Sequence, residues 1–391
     1  MNSNKIFLLI VLSIACLASI ASNIYAPALP AIAQDLHTLV SKVQLSMALY
    51  MFGLAISQLI YGPLSEGLGR RLPIIFGLSI TIFGSAVSWL APNVNILIAG
   101  CMIQGCGAGA CAALWRSVFR DVFNGAELAK YGSYLAIIVT FVVPGAPVVG
   151  GYLLRFFSWR ASFLFLMAYA LLTIFLVVFA FKETSQHHHK ERLNYRFIVS
   201  AFRELLGSRI FMGYSLCVLL SYSAFFAWFV TGPVLLIKIV GISPVTFGWI
   251  TMFGVGCATM LSSYLNGKLV SRTGMHFMLR VGWSIMIIAG VLMLAGKYLI
   301  GINATVIVIP VILFFFGAAF IWPNAFADAF IPFGKIAGYA GALYGSMQIV
   351  GGAAISGLVA HIPTYNQIPL ALIFIIPSIL AWMSFKWIVK P

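Results

Sequence analysis

Stretches of twenty or more residues pass in this chain without one charged side chain, and the few charges gather in the gaps between them. Only eight of 391 residues are acidic and 62% are hydrophobic. Charged residues make up 8% of the chain, against about a quarter in a soluble domain. A chain so poor in charge has no means of covering itself with a water-compatible surface, so most of it must face lipid. About 20 apolar residues at 1.5 Å rise cross a bilayer as a helix. That ruler places spans near 6–26, 44–62, 73–91, 95–115, 131–154, 161–181, 210–237, 245–266, 277–299, 304–329, 338–360 and 368–388. Only helices or closed barrels satisfy their backbone in lipid. Continuous apolar runs such as 161–181 lack the alternation of barrel strands. The expected fold is therefore all-α, with twelve transmembrane helices.

The one long polar break, 182–209, divides the chain into a six-helix half at 1–181 and another at 210–391. His187, His188 and His189 lie within it. With no Cys or carboxylate at ligand spacing, they read as exposed linker rather than as a metal site, and no metal or other cofactor is expected. Eighteen of the Lys and Arg residues fall on the side that holds both termini and five (Lys42, Arg155, Arg160, Lys238, Lys297) on the other. The positive-inside rule then puts both termini in the cytoplasm. The net charge of +15 is a topology signal, not a nucleic-acid footprint. Lys5 ahead of an apolar run has the outline of a signal peptide. Asn23 to Pro30 offers no small-x-small cleavage site, however, and the run reads as the first membrane helix. The six cysteines all fall inside spans, where they act as small apolar residues.

Glycine-rich turns recur in the two halves. Gly62-Pro-Leu64-Ser-Glu66-Gly-Leu-Gly69-Arg70-Arg71 follows the second span, and Gly267-Lys-Leu269-Val-Ser-Arg272-Thr-Gly274-Met-His276 follows the eighth. Asp121-Val-Phe123 and Asp328-Ala-Phe330 give a second echo. Paired halves around a midplane site are a common secondary-transporter plan. The first turn is similar to the loop signature of the major facilitator superfamily. Further stretches resemble its twelve-helix drug-efflux branch of bicyclomycin-resistance (Bcr/CflA) type. They are Tyr25-Ala-Pro27-Ala-Leu-Pro30, Gln104-Gly105-Cys-Gly107-Ala108, Arg116-Ser-Val-Phe-Arg120-Asp121 and Pro144-Gly145-Ala-Pro147-Val-Val-Gly150-Gly151, then Trp322-Pro323-Asn324-Ala325 and Gly341-Ala-Leu-Tyr344-Gly345-Ser-Met-Gln348.

That resemblance implies a multi-pass transporter of the bacterial inner membrane, acting as a monomer on small molecules by alternating access. It implies multidrug efflux by proton antiport, with no enzymatic activity. No G-x-x-x-x-G-K-[ST] loop is present to spend ATP. In the family the acidic loop residue, here Glu66, meets an Arg and the N-terminal end of the eleventh helix. Gly62, Glu66, Gly69, Arg70, Arg71, Arg120 and Asp121 are accordingly expected to form a cytoplasmic gate. The usual Arg of that motif is Gly67 here, which leaves Arg70 or Arg120 as the cation for Glu66. The run Pro144, Gly145, Pro147, Gly150 and Gly151 matches the antiporter motif; kinks and close approach suit a rocking surface.

Relatives often carry an Asp ahead of the Tyr-x-Pro of the first helix, where this chain has Asn23, and no span centre holds a carboxylate. Intramembrane acids are costly and normally functional, so their absence argues against a pocket built for cations. Cavity expectations rest on polar and aromatic residues: Asn23, Tyr25, Tyr50, Gln58, Gln104, Arg116, Tyr134, Tyr222, Trp228, Asn324, Tyr344 and Gln348. Many arginines and no mid-membrane acid equally fit an anionic metabolite or siderophore with weak or no proton coupling. Asp328, in space opened by Pro323, is the expected proton carrier, while His276 and His361 are read as loop residues without the nucleophile, base or metal set that a membrane hydrolase would need.

Overall fold

The computed structural model describes residues 3–123, 125–185, 194–362 and 364–389. Twelve helices among them are long and apolar enough to span a membrane. In chain order they are α1 (Ser3–Asn23), α2 (Val40–Leu68), α3 (Arg71–Trp89), α4 (Val94–Val122), α5 (Gly125–Phe156) and α6 (Arg160–Ala180), followed by α7 (Arg209–Pro233), α8 (Pro244–Thr273), α9 (Met275–Leu299), α10 (Ala304–Phe330), α11 (Ala337–His361) and α12 (Ile368–Ser384). No strand occurs among the described residues.

Hydropathy marks where lipid ends, not where a helix ends. Thus α2 runs six residues past its apolar core and α4 seven, through Glu66 and Arg116–Asp121. Each has 29 residues, roughly 43 Å at 1.5 Å per residue, so the charged turns stand beyond the hydrocarbon. Conversely, α1 breaks after Asn23, gives a 3-10 turn at Ala26–Ala28 around Pro27, and resumes as Leu29–Asp35 with Pro30 in its first turn. Proline lacks the N–H an unbroken helix would need. The segment read as polar linker contains a further helix, Tyr195–Gly207, capped by Asn194. Phe197 and Phe202 of that helix lie edge-on to Tyr339 of α11. The histidine run His187–His189 lies outside the described residues.

The sequence echo corresponds to a structural one. α2 and α8 both stop at a glycine in the left-handed region, Gly69 (φ 82°) and Gly274 (φ 81°), a conformation that favours glycine. Asn93 and Asn303 cap α4 and α10 with nearly the same extended backbone and side-chain hydrogen bonds. Small residues let neighbouring helices touch backbone to backbone. A Cβ on Gly282 of α9 would come within 2.8 Å of the Gly317 oxygen of α10, and the reverse also holds. In the other half, Gly77 and Gly107 press α3 on α4 in the same way.

The two six-helix sets meet along α2 with α11 and α5 with α8. The first contact runs from Met51 opposite Gly352, through Gln58 at Gly345, to Glu66 at Gly338. The second is tight only at one end, where Gly151 meets Pro244 and Gly248 meets Val148. There Gln44 of α2 also donates to the Val230 carbonyl of α7 at 3.0 Å. Below Pro144 and Gly256 the helices α5 and α8 diverge, and the space between the halves opens toward the arginine-rich end.

Candidate functional site

Two connected chambers occupy that space, of roughly 480 and 790 Å³, within the range of small-molecule sites. Both are lined by Arg116, Thr140, Phe326, Tyr344 and Gln348. The inner chamber is aromatic, with Tyr222, Phe225 and Phe229 of α7 facing Trp322 and Phe326 of α10, and Thr140 and Pro144 of α5 opposite. Arg116 is its only charged lining residue among the described residues. Its guanidinium lies 4.5 Å over the Trp115 ring, and no carboxylate pairs with it among the described residues. Two donors nearby, the Trp322 Nε1 and the Tyr344 hydroxyl, are buried without a hydrogen-bond partner. The outer chamber is the mouth, edged by Glu66, Arg70 and Arg120.

Of the residues expected in the cavity, Gln58, Arg116, Tyr222, Tyr344 and Gln348 line it. The others do not. Asn23 is buried in α1 and donates to the Ser19 carbonyl. Tyr25 is packed on Phe163 with its hydroxyl at Ser46, and Tyr50 donates to the Ala18 carbonyl. Gln104 is fully buried between α3 and α4, bound to Ser85 at 2.7 Å. Trp228 packs on Phe247, and Asn324 is paired with Asn266 at 2.7 Å. Tyr134 is exposed and lines neither chamber. For Asn23, Tyr25, Tyr50, Gln104 and Asn324 polarity in a span answers a packing need with a hydrogen bond to a neighbouring helix or turn, whereas the buried Trp228 Nε1 has no partner among the described residues. The missed lining residues carried a readable signal. Phe225 and Phe229 continue from the expected Tyr222 as an i, i+3, i+7 stripe, and Trp322 and Phe326 are four apart, both spacings of one helix face.

At the mouth, Arg70 is committed: its Nε meets Asp121 at 3.1 Å and its Nη1 donates to Ser65 at 2.6 Å. Thr184 donates to the same Asp121 oxygen. Asp121 is therefore a partner of Arg70, one of the two cations expected for Glu66. Glu66 instead lies against the first turn of α11, where a Cβ on Gly338 would come within 2.6 Å of its Oε1. Gly62 lets Ala342 approach, and Gly69 makes the turn into α3. Glu183 closes the cluster. Its carboxylate accepts the backbone N–H groups of Arg70, Arg71, Thr184 and Ser185. Burial pushes its carboxyl up, but the four donors outweigh that and hold it below the usual carboxylate range.

Helix α5 continues unbroken through Pro144 and Pro147. Its two glycines differ in partner. Gly150 faces the Ile24 carbonyl of α1, inside one half, whereas Gly151 faces Pro244 of the other half. Gly145 looks toward Met252 of α8.

Asp328 is turned away from the cavity. The space beside Pro323 lies on the face of Trp322 and Phe326, and Asp328 is not among the lining residues. It accepts the Tyr214 hydroxyl at 2.7 Å and lies 3.4 Å from His276 Nε2. His276 belongs to the first turn of α9 rather than to a loop, 3.1 Å from the Tyr214 oxygen.

A family model, Major Facilitator Superfamily, matches residues 11–356. The chain is 32% identical over 380 residues to the Bacillus subtilis protein described as an uncharacterized MFS-type transporter, YdgK, covering 96% of this chain and 94% of that one. It is 28% identical to multidrug resistance protein D of Escherichia coli, covering 97% and 94%. To the bicyclomycin resistance protein homolog of Haemophilus influenzae it is also 28% identical, covering 95% and 93%. Among solved structures, a partially occluded inward-open form of the xylose transporter XylE from E. coli superposes with a TM-score of 0.76. That likeness is at 14% identity, with 99% of each chain covered.

Proposed function

The chain belongs to the major facilitator superfamily, and from that premise we propose that it exports small amphiphilic molecules from the bacterial cytoplasm across the inner membrane by proton antiport. The observation that carries this reading is the aromatic cavity sealed at the α5–α8 end and open at the arginine-rich end. The positive-inside bias assigns the open end to the cytoplasm. A substrate enters there between α5 and α10, lies against the rings of Tyr222, Phe225 and Trp322, and is released once α5 parts from α8 at the far end. The halves rock about the α2–α11 and α5–α8 contacts, with the Glu66 turn engaging α11 on the cytoplasmic side, and one chain contains the whole path.

Arg116 favours a second reading within the same site. A guanidinium with no carboxylate partner, two idle donors beside it and no carboxylate in the inner chamber, all among the described residues, suits an aromatic amphiphile that is neutral or anionic better than a cation. Proteoliposomes with an imposed pH gradient test both readings, using three labelled amphiphiles that share a ring system and differ in charge. Gradient-driven accumulation of the neutral and anionic probes is expected, with the cation far behind. No gradient-driven flux of any probe would overturn proton-driven export. Preference for the cation would overturn the role of Arg116.

A further inference from the structure

The two halves carry matching polar clasps at their cytoplasmic ends, built from different cations. In the N-terminal half Arg70, one residue past Gly69, holds Asp121 at the end of α4. In the C-terminal half His276, two residues past Gly274, meets Asp328 near the end of α10. Tyr214 of α7 completes the second clasp. Its hydroxyl donates to Asp328 Oδ2, so its oxygen is left to accept from His276 Nε2. His276 stands one position past Met275, the repeat counterpart of Arg70. A histidine in place of an arginine as the cation of the clasp matters because an arginine is always charged, whereas a histidine changes charge in the physiological range. We propose that His276, Tyr214 and Asp328 form a proton-binding latch, in which protonated His276 holds the end of α10 and loss of that proton frees it.

The surroundings fit a switch. The Asp328 side chain is 10% exposed and that of His276 43%, so the anion is sheltered while the imidazole is reached by water. From α7 the facing group is Tyr214, from α10 Asp328, and from the end of α12 the ring of Phe385, at 5.3 Å, with Lys386 next along the chain. On α9 itself Arg280 turns back to donate to the His276 carbonyl. The single carboxylate facing His276 among the described residues is thus Asp328.

The latch also has something to move. Pro323 removes one internal hydrogen bond from α10, so the last two turns can pivot about it. Those turns carry Asp328 on one face and, on the other, Phe326 and Phe330, which line the cavity mouth and pack on Tyr344. A proton taken up at His276 is therefore felt at the mouth through one rigid segment. This deepens the proton-antiport reading above and rests on it for its consequence, but the latch itself is tested without substrate.

The test is the distance across the mouth between spin labels at Glu127→Cys and Ile331→Cys, both exposed, in a cysteine-free background in lipid nanodiscs. Between about pH 5.5 and 8.5, the range of histidine titration, the native distribution should shift from one population to another. H276Q and D328N should both be fixed at the high-pH distribution. H276R, a permanent cation like Arg70, should be fixed at the low-pH one and guards against simple misfolding of the other two. A native distribution indifferent to pH, or an H276Q or H276R variant that keeps the native midpoint, overturns the latch. A normal pH shift in a protein without gradient-driven flux would overturn proton antiport and leave the latch standing.

Discussion

Gly151 is where a single methyl group should bias the transport cycle. In the present state a Cβ there would lie 2.8 Å from the Pro244 oxygen and 3.0 Å from the Val245 Cα, both backbone atoms of the opposite half. Ordinary van der Waals contact begins near 3.4 Å, so Gly151→Ala forces α5 and α8 apart by about half an ångström or strains one of them. Overpacking of this kind costs about 1–3 kcal/mol. The cost vanishes once the two ends separate to release substrate. The substitution should therefore favour the outward-open state by roughly 5- to 140-fold, at 1.4 kcal/mol per factor of ten.

Gly150→Ala supplies the comparison. A Cβ there would fall on the Ile24 carbonyl oxygen of α1, which belongs to the same half and stays with α5 in either state. That variant should lower Tm without favouring one state. Spin labels at Arg155→Cys and Lys238→Cys, one on each half at the sealed end, report the opening by electron–electron distance measurement. The reasoning fails if Gly151→Ala leaves the native distribution unchanged, or if Gly150→Ala shifts it equally.

Three further outcomes follow from the cavity and its mouth. Arg116→Ala should weaken binding of anionic amphiphiles by roughly 10- to 100-fold, the loss of about 1.5–3 kcal/mol for a charged hydrogen bond. Neutral analogues should bind almost unchanged; quenching of Trp115 and Trp322 fluorescence measures both, and an equal loss for the neutral probe would refute the charge contact. Glu66→Gln should keep Tm but cut flux several-fold, because a carboxylate at a helix N-terminus contributes about 0.3–2 kcal/mol; native flux in that variant would remove Glu66 from the gate. For Glu183 the folded-state carboxyl lies below the usual range, so its stabilisation is present above about pH 4.5, the ordinary carboxylate range, and is lost as pH falls through the folded value. Glu183 is exposed, and solvent screening limits the effect to about 1 kcal/mol or less. Glu183→Gln should therefore lower Tm by about 1 °C at pH 7 and by less at pH 4; a constant difference would refute the link to ionisation.

What could be read from the chain, and what could not, divides along a physical line. Lipid demands apolar side chains in every turn, so the twelve spans stood out, and the helix ends drifted where charged turns stayed helical, as in α2 and α4, or where proline broke an apolar run, as after Asn23. The cavity asks for no such composition. In a membrane interior a polar side chain marks only that a hydrogen bond is needed, and Gln104, Asn324 and Tyr50 spend theirs on neighbouring helices or backbone. A cavity wall is recognised instead by how much unspent polarity faces open space, as the Trp322 Nε1, the Tyr344 hydroxyl and Arg116 do, whereas the Trp228 Nε1 and Gln104 Oε1 are unspent but packed away from it. That quantity depends on three-dimensional pairing, which no spacing rule reports. The same holds for the charges at the mouth. Arg70 could be assigned to Glu66 or to Asp121 from proximity in a turn, and only the packing of α4 against that turn selects Asp121. His276 shows the converse. Its place two residues after the repeated glycine was visible, but with its carboxylate 52 residues further along the chain, the clasp existed only as one half of a symmetry. Once Arg70–Asp121 is known, that symmetry singles out Asp328 as the echo of Asp121 and directs attention to the turn after Gly274, where His276 stands one position past the counterpart of Arg70. The internal repeat is then a tool for finding sites as well as evidence for a fold: a contact established in one half nominates its counterpart in the other, and a change of residue type between them points to where the halves have divided their roles.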